Sequence, residues 1–149
     1  MQPAASAGAT LQAIWLAGQF HGVISPQTPT GYADDADGDG YANLLEYVTG
    51  GSLTNADTQA QMNGGRTNNV LALKFFRDTA ATDATIYVEG SYTATNGADW
   101  VGVATNIGGS WGGSPTNVTE SGASPVSVTV QDTEVTATNR FLRLRVTRP

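Results

Sequence analysis

The residues of this chain best suited to chemistry fall within one dozen, "DADGDGYANLLE", residues 35–46. Asp35, Asp37 and Asp39 alternate with small residues, Gly40 follows, and the run ends at Glu46. With Asp34, four carboxylates lie within six residues, and no Lys or Arg stands nearby to balance them. Without a cation these groups repel one another. Donor sets made only of oxygen select hard cations, Ca²⁺ ahead of transition metals. In a twelve-residue calcium loop, Asp35, Asp37 and Asp39 take positions 1, 3 and 5. Gly40 takes position 6, where the chain turns sharply, and Tyr41 offers its backbone carbonyl at position 7. Asn43 takes position 9, and Glu46 takes position 12, where a bidentate carboxylate completes the shell. The expected ligands are thus Asp35, Asp37, Asp39, Tyr41, Asn43 and Glu46, and the expected cofactor is Ca²⁺. A plain Asp/Gly-rich solvated turn would require neither Asn43 nor Glu46.

Other candidate chemistry is weaker. "GGSWG", residues 108–112, matches the spacing of a nucleophilic serine elbow at Ser110. Its flanks do not read as a strand entering a helix, and the sole histidine, His21, precedes Ser110, where that arrangement needs it last. A Gly-rich loop with a packed Trp111 is the simpler expectation, and His21 suits a cap or packing role at a helix end. The other carboxylates are scattered, and no pair marks general acid–base work. No catalytic residue is expected. Tyr87, Tyr92, Trp100 and Trp111 are candidates for an aromatic sugar platform, with core and loop packing as the plainer use of such rings. "NVT" at 117–119 is a glycosylation sequon.

These residues need elements to position them. Residues 10–21, "TLQAIWLAGQFH", read as a short helix with Thr10 as N-cap. Leu11, Ile14, Trp15 and Gly18 share one face, and Leu16 and Phe20 extend the apolar character. A helix this short must dock to persist. Pro26 and Pro29 make 23–34 a connector. "ANLLEYVTGG" reads as a helix of about three turns, closed by Gly50 or Gly51. Residues 52–68 are polar and turn-rich. From residue 69 the apolar period becomes two, in "NVLALKFFRD", "ATIYVEGSY", "SPVSVTVQD" and "NRFLRLRVT", with weaker strands at 99–105 and 117–121. Leu73, Phe75, Ile86, Val88, Val128, Val130, Leu142, Leu144 and Val146 form the expected core. The expected architecture is mainly β: an antiparallel, jelly-roll-like sandwich over 69–149, preceded by a helical and calcium-loop segment over 1–68.

Composition narrows the function. Of the 149 residues 13% are charged and 40% hydrophobic, with a net charge of −6, which excludes neither a folded core nor a secreted habit but argues against nucleic acid as partner. Four of the seven basic residues, Arg140, Arg143, Arg145 and Arg148, cluster near the C-terminus, as a solvated or partner-facing strand side. No cysteine is present, so no disulfide or thiolate chemistry is expected. No apolar run is long enough to span a membrane. Residues 1–10 lack the pattern of a signal peptide; an exported form would have lost it.

The loop "DADGDGYANLLE" resembles those of dockerins and thrombospondin type 3 repeats of secreted proteins. The wider order, an apolar helix, a connector, the loop, "YVEGS" and a terminal "RFLRLRVT", resembles the C-terminal module of exported proteins of Verrucomicrobia-type bacteria. A dockerin carries two loops, and this chain has one. The resemblance implies an extracellular or cell-surface location. The expected function is a non-enzymatic structural subunit, stabilised by calcium, that self-assembles into a filament or surface layer. Leu11, Ile14, Trp15, Leu16 and Phe20 are the expected assembly interface. The alternative is a carbohydrate-binding or anchoring module with glycans as partners.

Overall fold

The computed structural model describes residues 31, 33–56, 62–95, 99–112, 116–135 and 139–147. The expected helix at 10–21, with His21 and the five assembly residues, lies outside them. The described elements are one helix, α1 (Asn43–Thr49), and eight strands. The strands are β1 (Met62–Thr67), β2 (Val70–Arg77), β3 (Thr85–Ser91), β4 (Val101–Ile107), β5 (Ser110–Trp111), β6 (Val118–Ser121), β7 (Val126–Gln131) and β8 (Phe141–Thr147). They form two four-stranded antiparallel sheets, ordered β1-β2-β7-β6 and β5-β4-β3-β8. The protein is mainly β, as its alternating pattern requires.

Alternation places Leu73 and Phe75 of β2 and Val126, Val128 and Val130 of β7 on one inner face. Ile86 and Val88 of β3 and Ala104 of β4 stand on the other, and all are buried in one apolar cluster. The arrangement is that of a β-sandwich. Leu142, Leu144 and Val146 were expected to be equally buried, but they are only half-buried. Their strand is the last in its sheet, so its inward row is covered less fully than that of β3 beside it.

Two tight hairpins fix register. Asn68 and Asn69 join β1 to β2 with φ of 52° and 64°, and Gly108 and Gly109 join β4 to β5 with φ of 61° and 84°. Consecutive left-handed residues are what a two-residue turn between twisted strands demands. β1 itself, "MNGGRT", lies in the stretch read as polar and turn-rich. It has no apolar face of its own and is ordered by pairing along β2, from Met62 opposite Phe75 to Thr67 opposite Val70.

α1 has seven residues, shorter than the three turns expected. Gly50 ends it at φ 77° and donates its N–H to the Glu46 carbonyl. The helix is anchored at its far end: Tyr47 and Val48 are buried, Tyr47 donates its hydroxyl to Asp83, and the Val48 carbonyl accepts from Asp78 N–H at 2.7 Å. Among the described residues, no helix is long and apolar enough to cross a membrane.

Candidate metal centre

The acidic loop enters α1 directly, and its shape follows from aspartates that bind their own backbone. Asp35 Oδ1 accepts from Gly38 N–H at 2.7 Å, and its Oδ2 accepts from Gly40 N–H at 2.8 Å. Asp37 Oδ1 accepts from Asp39 N–H, and Asp39 Oδ1 accepts from Tyr41 N–H at 2.8 Å. Gly38 and Gly40 have φ of 79° and 97°, a region that side-chain-bearing residues avoid. Gly40 is thus the sharp turn that the spacing required. The Gly40 hydrogen bond first of all, with those of Gly38 and Asp39, holds the Asp35 carboxyl below its ordinary range against some desolvation.

These contacts draw the three aspartates together. One carboxylate oxygen from each of Asp35, Asp37 and Asp39 lies within 4.8 Å of the others. A triplet of this kind can hold a metal ion, although exposed acidic groups are also common without one.

The remaining expected ligands occupy the helix side of the loop. Asn43 begins α1 and is fully buried; its N–H donates to the Asp34 carbonyl at 2.7 Å and its Nδ2 donates to the Gly31 carbonyl at 3.0 Å. Asn43 therefore closes the loop on itself. Glu46 is fully buried within the first turn of α1. Asp37 Oδ2, Asn43 Oδ1 and both Glu46 oxygens are buried atoms. Tyr41 is half-buried at the loop exit. The donors around this site are carboxylates, an amide and backbone, which is hard-cation chemistry.

The other candidates are placed elsewhere. Ser110 follows the Gly108–Gly109 turn and pairs with Ile107 on a two-residue strand, so it sits on a hairpin and not on a strand-to-helix elbow. The four aromatic residues do not share one platform. Trp111 meets Phe75 edge-on, with ring centres 6.4 Å apart, and donates its indole N–H to Glu120. Tyr87, Trp100 and Tyr92 lie beneath Arg145, Arg143 and Arg140, at 3.8, 4.1 and 4.8 Å.

Arg140, Arg143 and Arg145 thus find partners inside the molecule. Arg143 and Arg145 both donate to Glu89, and Arg140 clasps the buried Asp132 with two hydrogen bonds. Pattern reading could not find the two pairs with Glu89, because that residue is more than fifty positions away in sequence.

In comparison with known proteins, no family model matches the chain, and neither a curated protein nor a solved structure matches it.

Proposed function

We propose that this chain is a non-enzymatic, extracellular structural module whose helical entry segment is clamped to a β-sandwich by one Ca²⁺. The observation that carries the reading is the convergence of Asp35, Asp37 and Asp39 on one point, with Gly40 turning the chain immediately after them. In the proposed site these three supply carboxylate oxygens, Tyr41 its carbonyl, and Asn43 and Glu46 close the shell from α1.

The role is structural because of where the loop leads. It runs without a linker into α1, and α1 is fixed to the sandwich through Tyr47 and Val48. An ion that orders the loop therefore orders the helix entry, and binding that favours the folded chain stabilises it. Location outside the cell fits a weak, unpaired site, since millimolar calcium is needed to fill sites of 10⁻⁴ to 10⁻³ M affinity.

Terbium luminescence tests the assignment. Tyr41 adjoins the loop and should sensitise a bound Tb³⁺. Calcium should displace it at far lower concentration than magnesium, which demands a tighter octahedral cage. Asp37→Ala and Asp39→Ala should abolish the signal. Luminescence that persists in both variants would place the ion elsewhere.

A further inference from the structure

The outer face of the sheet that holds β4, β3 and β8 carries a pair of preset arginines. On β8, Phe141, Arg143 and Arg145 share one side of the strand, opposite the row of Leu142, Leu144 and Val146 that packs on the core. Arg143 stands across from Glu89, and Arg145 across from Tyr87. The Arg143 guanidinium lies 4.1 Å from the centre of the Trp100 ring, and that of Arg145 lies 3.8 Å from Tyr87. A ring beneath and Glu89 at the edge hold each plane in place. Side chains that would otherwise sweep through solvent are thus fixed before any ligand arrives.

Glu89 does not occupy all of these donors. Arg143 gives it only Nε–H, and Arg145 gives it Nε–H and Nη2–H. Among the described residues, both terminal nitrogens of Arg143 and Nη1 of Arg145 have no hydrogen-bond partner. The two side chains are 36% and 40% exposed. Two guanidinium charges meet one carboxylate, so one positive charge is left over. Asp99, next to Trp100, is engaged by the hydroxyls of Ser91 and Thr93. Phe141 completes the set. It is 46% exposed and sits two residues from Arg143, about 7 Å along the strand. Tyr87, Tyr92 and Trp100 each lie under an arginine, whereas Phe141, among the described residues, does not.

A free guanidinium edge takes a carboxylate with two parallel hydrogen bonds. A bare aromatic ring beside it takes the C–H face of a sugar. One hexuronate presents both, a carboxylate at the end of an apolar ring face. A surplus of a single charge, on a chain of net −6, suits sparse carboxylates, one per sugar, and not the dense phosphates of nucleic acid. We propose that Arg143 and Phe141, on the outer face of β8, bind a uronate unit of an acidic polysaccharide, with Arg145 Nη1 as a further donor. Trp100 and Tyr87 position the arginines and do not touch the sugar. Leu144 and Val146, which share a groove with α1, face the other side of β8, so the site works independently of the cation site.

The test titrates trigalacturonate into the full chain, with calcium present, and follows it by NMR. The Arg143 Nε–H and Phe141 ring resonances should shift, with a dissociation constant on the order of millimolar for one fork and one ring. The uncharged methyl ester of the same sugar should bind about tenfold more weakly or worse. Arg143→Gln and Phe141→Ala should each weaken binding by about tenfold or more, while Arg145 still pairs with Glu89 in both. Should Arg143→Gln fail to fold, Arg143→Lys carries the test, since it keeps the charge and loses the fork. Asp37→Ala should bind as the parent does. No shift by about 20 mM sugar, equal affinity for the ester, or unchanged affinity in the Arg143 variant would overturn the proposal. So would a loss confined to Asp37→Ala, which would mean that calcium at the loop bridges to the carboxylate.

Discussion

At the scale of single residues, the loop shows how much spacing alone can convey. The alternation of Asp35, Asp37 and Asp39 was legible because each residue type has one evident use there, and the structure brings the three together. The buried position of Glu46 was less legible, since it depends on how deeply α1 sinks against the sandwich. Within the proposed site, Asp37→Ala should weaken calcium binding by about tenfold or more, because carboxylate count sets affinity in such loops. Isothermal calorimetry reads this directly. The pair of Arg140 and Asp132 makes a different kind of prediction. Both side chains are buried, at 7% and 0% exposure. Arg140→Ala would leave the Asp132 carboxylate uncompensated, and the expected loss is about 3–5 kcal/mol in urea unfolding. A loss below 1 kcal/mol would mean the pair is solvated. Nothing in the sequence pointed to this pair, because Arg140 read as one of a solvated cluster.

At the scale of elements, periodicity located β2, β3, β7 and β8, whose apolar residues alternate. It missed β1 and β5. β1 has no buried face, and β5 is two residues long and held by the Gly108–Gly109 turn. Both exist because a neighbour offers hydrogen bonds, and a strand of that origin leaves no pattern in its own sequence. The end of α1 offers a sharp test of element geometry. Gly50 has φ 77°, and a Cβ there would stand 3.1 Å from Pro125. Gly50→Ala should therefore cost about 1–2 kcal/mol from the left-handed backbone alone, with crowding added, measured by thermal or denaturant unfolding. The pairing of β3 with β8 supplies a pH test. Arg145, by its hydrogen bonds, and Arg143 beside it hold the Glu89 carboxyl below its ordinary 4.5, although burial opposes them. A carboxyl with a depressed folded pKa stabilises the fold above its unfolded pKa, and the contribution is lost as pH falls through the folded value. Urea midpoints should therefore decline below about pH 4.5 more steeply in the parent than in Glu89→Gln. Identical profiles would mean the two arginines exert no such hold.

At the scale of the whole molecule, two sheets enclose one apolar cluster, and a short helix closes one side of it. The fold class was legible from the change of period at residue 69. The layout of strands was not, because order within a sheet depends on pairings between distant segments, such as β2 with β7 and β3 with β8. Nor could alternation tell an edge row from a central one, which is why Leu144 is less buried than Val88. The loop ties these scales together: an ion held by three aspartates would set the entry to α1, and α1 is seated on the sandwich. Calcium should then stabilise the entire domain and not the loop alone. At ten times its dissociation constant the gain is about 1.4 kcal/mol, or roughly 3–6 °C in melting temperature for a domain of this size. The most direct test is a thermal melt of the full chain in millimolar calcium and again in excess chelator, with calorimetric titration of the chelated protein. The account predicts a single cooperative transition that falls by several degrees on chelation, and one binding site near 10⁻⁴ to 10⁻³ M. An unchanged melting temperature together with no heat of binding would contradict it.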